Sequence, residues 1–511
     1  MAKEPKILLI YPPCQFQPIE TPRPDGSLGL LYLCGALEQA GFKVDLLDAT
    51  VGAKEDNLQD TFYNKVKQSN GLIRIGMPPE RIKKFIARGG YNIIGINSSF
   101  TSQTKMVLDV AAIAKSANPD ILTIAGGVSA RSLSERLLDG GDIDVVCLSE
   151  GEKIIVRLVQ EWIQGRGFEH VSGIRYKKNG QYITHPATRE DVYANLDELP
   201  FPAWHKLPFE HYDSISFSRG SALDPNKVRS APIMTSRGCL FKCRYCHISL
   251  EKEDNLNTSQ IGFIRFKSVE RVLEEVKRLK ELKVHRLYFE DDCLFAKKDR
   301  VRTIFEKIMG MGFKIASVNG VNLIHFQRQN EKGETEIDVE FLKFLRQAGF
   351  DEITFPVESG CQRIIDKYAT AKINLATLDI AKIIKTTASL GIQCPLNIMI
   401  GFPDETEEEI MQSVAFGKKL VAAGADYCSF FITIPFPGSK LYETAIKEGY
   451  LSPDFNSDSM NWQNPIMKNT AVPPERILEL REWAWRTVNR PEYVQARLKK
   501  NIVNDNIKKS L

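Results

Sequence analysis

The chain has 511 residues, of which 43% are apolar and 26% charged, and a formal net charge of +4. At about 150 residues per domain this length suggests roughly two to four domains with ordinary globular cores. So weak a charge gives no reason to expect a nucleic-acid partner, and no apolar run of about 18 residues is present to cross a membrane.

The start, MAKEPKILLIYPPC, passes straight into a strand-like segment and lacks a signal-peptide layout. Most cysteines are scattered singly, which is cytosolic usage and not a disulfide framework; a cytoplasmic protein is expected. Five short apolar segments, Lys6–Tyr11, Lys43–Asp48, Asn92–Ser99, Ile121–Gly127 and Asp144–Ser149, read as buried strands. The stretches between them, such as SLGLLYLCGALEQAG and TKMVLDVAAIAKSA, repeat apolar residues at three and four and read as helices. This alternation predicts an α/β fold that begins with a doubly wound, Rossmann-like parallel sheet. An insert from Ala49 to Arg88 interrupts the third crossover, with its helix placed near Pro79–Arg88.

GIRYKKNGQYIT then reads as a hairpin about Asn179-Gly180. The proline-rich NLDELPFPAWHKLPF reads as a linker. From Ile233 the alternation restarts, with strands expected in IMTSR, RLYFED, KIASVNG, EITFPVE, QCPLNIMIG and DYCSFFITI. Six such units suit a partial, TIM-like (β/α)6 barrel. The tail holds Trp462, Trp483, Trp485 and an amphipathic pattern near Pro474–Val488. The expected domains are 1–165 (sheet), 166–231 (hairpin and linker), 232–451 (partial barrel) and 452–511 (helical extension).

One group of cysteines is clustered. SRGCLFKCRYCHIS places Cys239, Cys243 and Cys246 in a C-x₃-C-x₂-C spacing at the carboxyl end of the first barrel strand, the edge where parallel α/β folds place their chemistry. A zinc site completed by His247 is disfavoured, because zinc folds draw ligands from two separated knuckles and adjacent Cys246 and His247 do not easily face one ion. Three thiolates suit a 4Fe–4S cluster with one iron left open.

The loop, with Tyr245 before its last cysteine, resembles that of the radical S-adenosylmethionine (radical SAM) superfamily. The resemblance implies that Cys239, Cys243 and Cys246 hold the 4Fe–4S cluster and that the open iron binds S-adenosylmethionine (SAM). It also implies SAM contacts from Tyr245, from Glu290, Asp291 and Asp292 ending the second strand, from Glu358 and Ser359 ending the fourth, and from Gly401 ending the fifth. A helix N-cap run is the plainer reading of the three neighbouring carboxylates. His247, Cys293 and Cys361 read as core or supporting residues.

From Lys6 to Leu451 the chain is similar to the cobalamin-binding radical SAM enzymes. Four N-terminal pieces carry the likeness: SLGLLYLCGALEQAGFKVDLLD, NSSFTSQT, AGGVSA and DVVCLSEGE. They imply cobalamin contacts from Ser27, Leu28 and Gly29, from Ser98, Ser99, Phe100 and Thr101, from Gly126, Gly127 and Val128, and from Ser149, Glu150, Gly151 and Glu152. The first histidine is His170, so the D-x-H-x-x-G motif that gives many corrinoid proteins a lower axial imidazole is missing.

The resemblance thus implies a cobalamin-dependent radical SAM methyltransferase acting on an unactivated carbon through a 5′-deoxyadenosyl radical and methylcobalamin, with a flavodoxin or ferredoxin as electron donor. The small-molecule substrate is not named by the sequence. Cyclisation, ring rearrangement or oxidation on the same cofactors remains an alternative, as does a non-catalytic carrier. A methylthiotransferase fits less well: no G-C-x-x-N follows the first strand, and Cys14, Cys34 and Cys147 are not grouped as a second cluster site.

Overall fold

The computed structural model describes residues 4–17, 26–215, 228–253, 257–370 and 372–496. The chain divides into two compact units, residues 1–218 with 250–265, and residues 219–249 with 266–511.

The first unit is a twisted sheet built from β1 (Ile7–Tyr11), β2 (Val44–Asp48), β3 (Ile93–Asn97), β4 (Leu122–Gly126) and β5 (Val145–Cys147). The hairpin strands β6 (Ile174–Lys178) and β7 (Gln181–His185) continue it, giving the order β7-β6-β5-β4-β3-β1-β2. All pairings up to β5 are parallel, whereas β6 runs antiparallel to β5. The hairpin is therefore the sheet's edge rather than a separate element. Helices cover both faces. On one, α1 (Leu28–Gln39) and α4 (Glu152–Ile163) bury Leu30, Leu37, Ile154 and Leu158 against Ile7 and Leu9. On the other, α2 (Pro79–Gly89) and α3 (Thr104–Ala117) bury Ile82, Ile86, Val107 and Val110 against Leu8 and Ile10. Alternate β1 side chains thus feed opposite cores, as the period of two in a strand requires.

The insert does more than cross over. Its segment Ile73–Ile75 pairs with Cys14–Phe16 on one side and with Val66–Lys67 on the other, in a small antiparallel sheet that the sequence patterning does not announce. The α2 helix begins at Pro79, whose missing N–H is harmless there, and stops at Gly90 in the left-handed region at φ 62°. In the proline-rich crossing, a Cβ on Gly35 of α1 would lie 2.0 Å from the Phe201 carbonyl oxygen. Glycine is what lets that segment lie on α1.

The second unit carries β8 (Ser230–Ile233), β9 (Arg286–Phe289), β10 (Lys314–Ser317), β11 (Phe350–Ile353), β12 (Phe355–Glu358), β13 (Leu396–Ile400) and β14 (Cys428–Ile432). They run parallel in chain order, and β11 and β12 are two halves of the fourth strand, broken at Thr354. Backbone bonds from Ile353 to the Gln393 oxygen and from Phe355 to the Pro395 oxygen carry the pairing across the break. Among the described residues no pairing joins the first strand to the last, so the strands form an open series, as a partial barrel requires.

The helices between them start where the sequence supplies caps. Ser268 accepts from the Arg271 amide at the head of α5 (Val269–Glu281), and Asp338 from Phe341 at the head of α7 (Val339–Ala348), with α6 (Lys298–Ile308) between. After α8 (Ile380–Ser389), Thr406 and Glu409 form a capping box on α9 (Glu407–Ala422). The final helix, α10 (Pro474–Val488), lies against α9 and β14 and buries Ile477, Leu480, Ala484 and Val488.

Candidate active site

The cysteine loop leaves β8 at Ile233 and is shaped by carboxylates from the end of β9. Both Asp291 oxygens accept from the Thr235 amide at 3.0 Å, and Oδ1 also accepts from Thr235 Oγ1 at 2.7 Å and Ser236 Oγ at 2.6 Å. Asp292 Oδ2 accepts from the Gly238 amide at 2.9 Å, where the chain turns at φ +82°. Burial raises the Asp291 pKa, and the three hydrogen-bond donors oppose it. Two of the three carboxylates expected to face SAM are thus already engaged in holding the loop. The Glu290 side chain is half-buried at the same rim.

Cys243 is buried, and Cys239 and Cys246 are partly exposed. The Cys246 amide donates to the Cys243 carbonyl at 3.1 Å, and Ser249 Oγ closes the turn on that same oxygen at 2.6 Å. The three thiols lie within electrostatic reach of one another. Among the described residues no three Cys, His, Asp or Glu side chains close on a single ion. A polynuclear cluster, unlike a single ion, takes each thiolate on a different iron.

Around this loop stand groups of two kinds. Glu358, at the end of β12, is buried and holds φ +66°, a region that a non-glycine residue rarely adopts. Its carboxylate pairs with Lys372, a lysine with a 10% exposed side chain that no motif in the sequence singled out. Burial lowers the Lys372 pKa, but Glu358 and the Cys243 and Cys239 thiols outweigh it and hold it above its usual value. The ammonium also lies 5.7 Å from the centre of the Phe241 ring. The Tyr245 hydroxyl is buried without a hydrogen-bond partner, and burial and the nearby Glu358 keep its pKa high.

Two of the expected contact residues also serve packing. Ser359 Oγ bonds Ser413 Oγ at 2.9 Å and accepts from the Cys361 amide at 3.0 Å. Gly401, at φ +81°, gives close approach to α10, where an added Cβ would lie 3.0 Å from Ile477. Its amide and that of Phe402 donate to Glu405 Oε2 at 2.6 and 3.1 Å, while Glu405 Oε1 is buried with no partner. Burial pushes the Glu405 carboxyl up to about 8.

In the first unit, the sheet's carboxyl edge is cut by small residues. Strand order reverses at β1, whose neighbours are β2 and β3, and open α/β sheets bind ligands at such a switch point. Ser27 caps α1, accepting from the Leu30 amide and from Asn97 Nδ2, both at 3.4 Å; Leu28 and Gly29 open the helix. Ser98 is buried, its backbone oxygen accepting from the Ser129 and Ala130 amides at 3.0 and 3.1 Å. Neither Ser98 Oγ nor Ser129 Oγ has a partner, though both are buried. Between them stands Gly127 at φ +120°, where a Cβ would come within 2.7 Å of the Ser98 oxygen. Gly126 and Val128 flank it, half-buried. Ser99 is half-buried, Thr101 is buried, and Phe100 is 50% exposed among these otherwise covered residues.

The last predicted group is used differently. Ser149 Oγ donates to the Thr258 carbonyl at 2.8 Å, and Glu150 pairs with Arg265. Arg131 pairs with Glu251 at 2.7 Å. These contacts hold residues 250–265 onto the first unit, a strap that the sequence pattern does not reveal. Gly151 lies close to Leu33, and Glu152 is buried at the start of α4.

A B12 binding domain model matches residues 26–159, and a Radical SAM superfamily model matches residues 233–417. The chain is 26% identical over 493 residues to cytidylyl-2-hydroxyethylphosphonate methyltransferase of Streptomyces wedmorensis, covering 90% of this chain and 85% of that one. It is 29% identical over 485 residues to an uncharacterized methyltransferase of Pyrococcus horikoshii, covering 93% and 90%. Among solved structures, the radical S-adenosylmethionine methyltransferase TsrM from Kitasatospora setae, with cobalamin and a [4Fe-4S] cluster bound, superposes with a TM-score of 0.61 at 14% identity, covering 87% of this chain and 75% of that one. At that identity the likeness is one of fold.

Proposed function

We propose a methyl-transfer reaction for this chain, which belongs to the cobalamin-binding radical SAM enzymes. The observation that carries the reading is the succession, on one chain, of a B12 binding domain and a radical SAM domain whose full-length relatives are methyltransferases.

The residues present fit the three groups. Two buried, partnerless serine hydroxyls beside a glycine with no room for a Cβ suit a polar arm entering the sheet edge, and exposed Phe100 suits a flat apolar ring. We assign the corrinoid to Ser98, Phe100, Gly127 and Ser129, with Ser27, Leu28, Gly29, Ser99, Thr101, Gly126 and Val128 around them. Ser149 and Glu150 hold the strap, and Gly151 and Glu152 the start of α4. Cys239, Cys243 and Cys246 would hold the 4Fe–4S cluster through their thiolates. Glu358, Tyr245 and Glu290 bind SAM, while Asp291, Asp292, Ser359 and Gly401 fix the loops that present it.

When bound, the cluster, SAM and the corrinoid supply an electron, a carbon radical and a transferable methyl group. The chain's own part is placement. Asp291 and Asp292 fix the cysteine loop from beneath, and the Lys372–Glu358 pair fixes a strained carboxylate beside two of the thiols. Tyr245 packs tilted against Phe402, with ring centroids 6.0 Å apart, and lines one side of the loop.

Low-potential reduction by a flavodoxin or ferredoxin, a small-molecule substrate and a cytoplasmic location complete the reading. Among the described residues no helix is long and apolar enough to cross a membrane. The test is product analysis after anaerobic reduction with SAM. Methyl transfer yields S-adenosylhomocysteine together with 5′-deoxyadenosine. Deoxyadenosine alone supports cyclisation or oxidation instead, and neither product supports a carrier.

A further inference from the structure

Cys293 directly follows the rim carboxylates, and the site as assigned leaves it without a role. Its side chain is buried, and its thiol lies in hydrogen-bond reach of Cys239. On its other side stands His325, with Nε2 3.8 Å from Cys293 Sγ, within the reach of a bond to sulfur. His325 sits on the short turn Leu323–Phe326 that follows β10, a turn capped by Asn322 through the Ile324 amide at 3.1 Å. Its ring meets that of Phe241, edge-on, at 6.4 Å. Burial, with Lys298 adding to it, pushes the His325 pKa down to about 4. The ring is therefore neutral at pH 7 and carries a single N–H. Segments after three consecutive strands thus bring Cys239 and His325 each into contact with Cys293.

We propose that His325 and Cys293 form a hydrogen-bond relay, His325 Nε2–H to Cys293 Sγ and Cys293 S–H to the Cys239 thiolate, that raises the reduction potential of the cluster. The inference rests on the cluster ligands assigned above. A donor aimed at a ligand sulfur stabilises the more negative, reduced cluster over the oxidised one. Cys293 and His325 are positioning residues that act through Cys239 and touch neither SAM nor substrate.

An EPR-monitored redox titration of the full-length, iron-reconstituted protein tests this. In Cys293→Ala the iron content stays at the wild-type level. The ratio of reduced to oxidised cluster, read at the wild-type midpoint, falls about tenfold, equivalent to roughly 59 mV for one electron. Cys293→Ser keeps a donor and stays near the wild type. His325→Phe keeps every thiol and shifts in the same direction by less, and it decides the matter should Cys293→Ala fail to fold. Unchanged midpoints in Cys293→Ala and His325→Phe overturn the relay. So does loss of iron from Cys293→Ala with retention in Cys239→Ala, which makes Cys293 the ligand. A wild-type protein that binds no four-iron cluster removes the functional reading itself, whereas a cluster of unaltered potential in the variants removes only the relay.

Discussion

The two ligand edges of this chain are made from opposite materials. At the end of β8 the site consists of side chains: three thiols, the carboxylates that fold their loop, and a largely covered lysine–glutamate pair. At the ends of β3 and β4 it consists mostly of what is missing, a glycine with no space for a Cβ and two hydroxyls with no partner. A reactive cluster needs particular atoms at particular places, and few residue types supply them. A large cofactor laid on a sheet edge needs room, and many sequences supply room. The first edge should therefore fail completely when one atom is removed, and the second only by degrees or by intrusion.

The largest expected effect is at the cysteines. Cys239→Ala, Cys243→Ala and Cys246→Ala should each lose bound iron and SAM cleavage while still retaining corrinoid, as measured by iron content, corrinoid absorbance and 5′-deoxyadenosine yield. Parallel loss of corrinoid would break the comparison, since the two edges would then not be independent. The reverse experiment is Gly127→Val. Its Cβ would collide with the Ser98 carbonyl, and the left-handed backbone at this position is hostile to a branched side chain. Strain of roughly 1–3 kcal/mol should weaken corrinoid binding by about tenfold or more, with iron content unchanged.

A smaller effect should follow from Glu405, the buried carboxyl near 8 that accepts from Gly401 and Phe402. Its folded pKa stands above the unfolded value, so the native state binds the extra proton. Stability present at pH 5 should therefore decline as pH rises toward 8, by up to about 1.4 kcal/mol for each unit crossed. Glu405→Gln keeps an acceptor oxygen and removes the titration, so anaerobic melting curves from pH 5 to 9 should flatten in the variant. An unchanged slope would show that Glu405 ionises freely. The smallest effect is expected at Trp483, which is 44% exposed on α10. Trp483→Ala should stay within about 0.5 kcal/mol of the wild type in denaturant unfolding.

The same contrast governs what the sequence disclosed. Apolar alternation located the parallel strands of the first unit and most of those of the second, although the strand expected in IMTSR lies earlier, at Ser230–Ile233. The C-x₃-C-x₂-C spacing identified the cysteine loop, because period and thiol spacing are local properties of the chain. Pairings between distant segments were not legible. Lys372 reads as one lysine among many until folding sets it against Glu358, and the Cys293–His325 contact joins residues 32 positions apart. The carboxylates of EDD illustrate the limit well: residue type alone could not say that Asp291 and Asp292 would turn toward the loop backbone. Ser149 and Glu150 likewise looked like edge residues open to a ligand, yet their side chains hold the strap of residues 250–265. The small sheet of the insert escaped notice because strands of two and three residues carry too little alternation to read.

The central claim, two cofactor edges on one chain, is tested most directly by purifying the protein without oxygen after supplying cobalamin and recording the cob(II)alamin EPR spectrum with the bound corrinoid quantified. The first histidine of the chain is His170, beyond the matched B12 binding domain. Stoichiometric corrinoid whose spectrum lacks nitrogen splitting from an axial imidazole is the predicted result. Absence of bound corrinoid, or a clear nitrogen splitting from a protein histidine, would contradict the account.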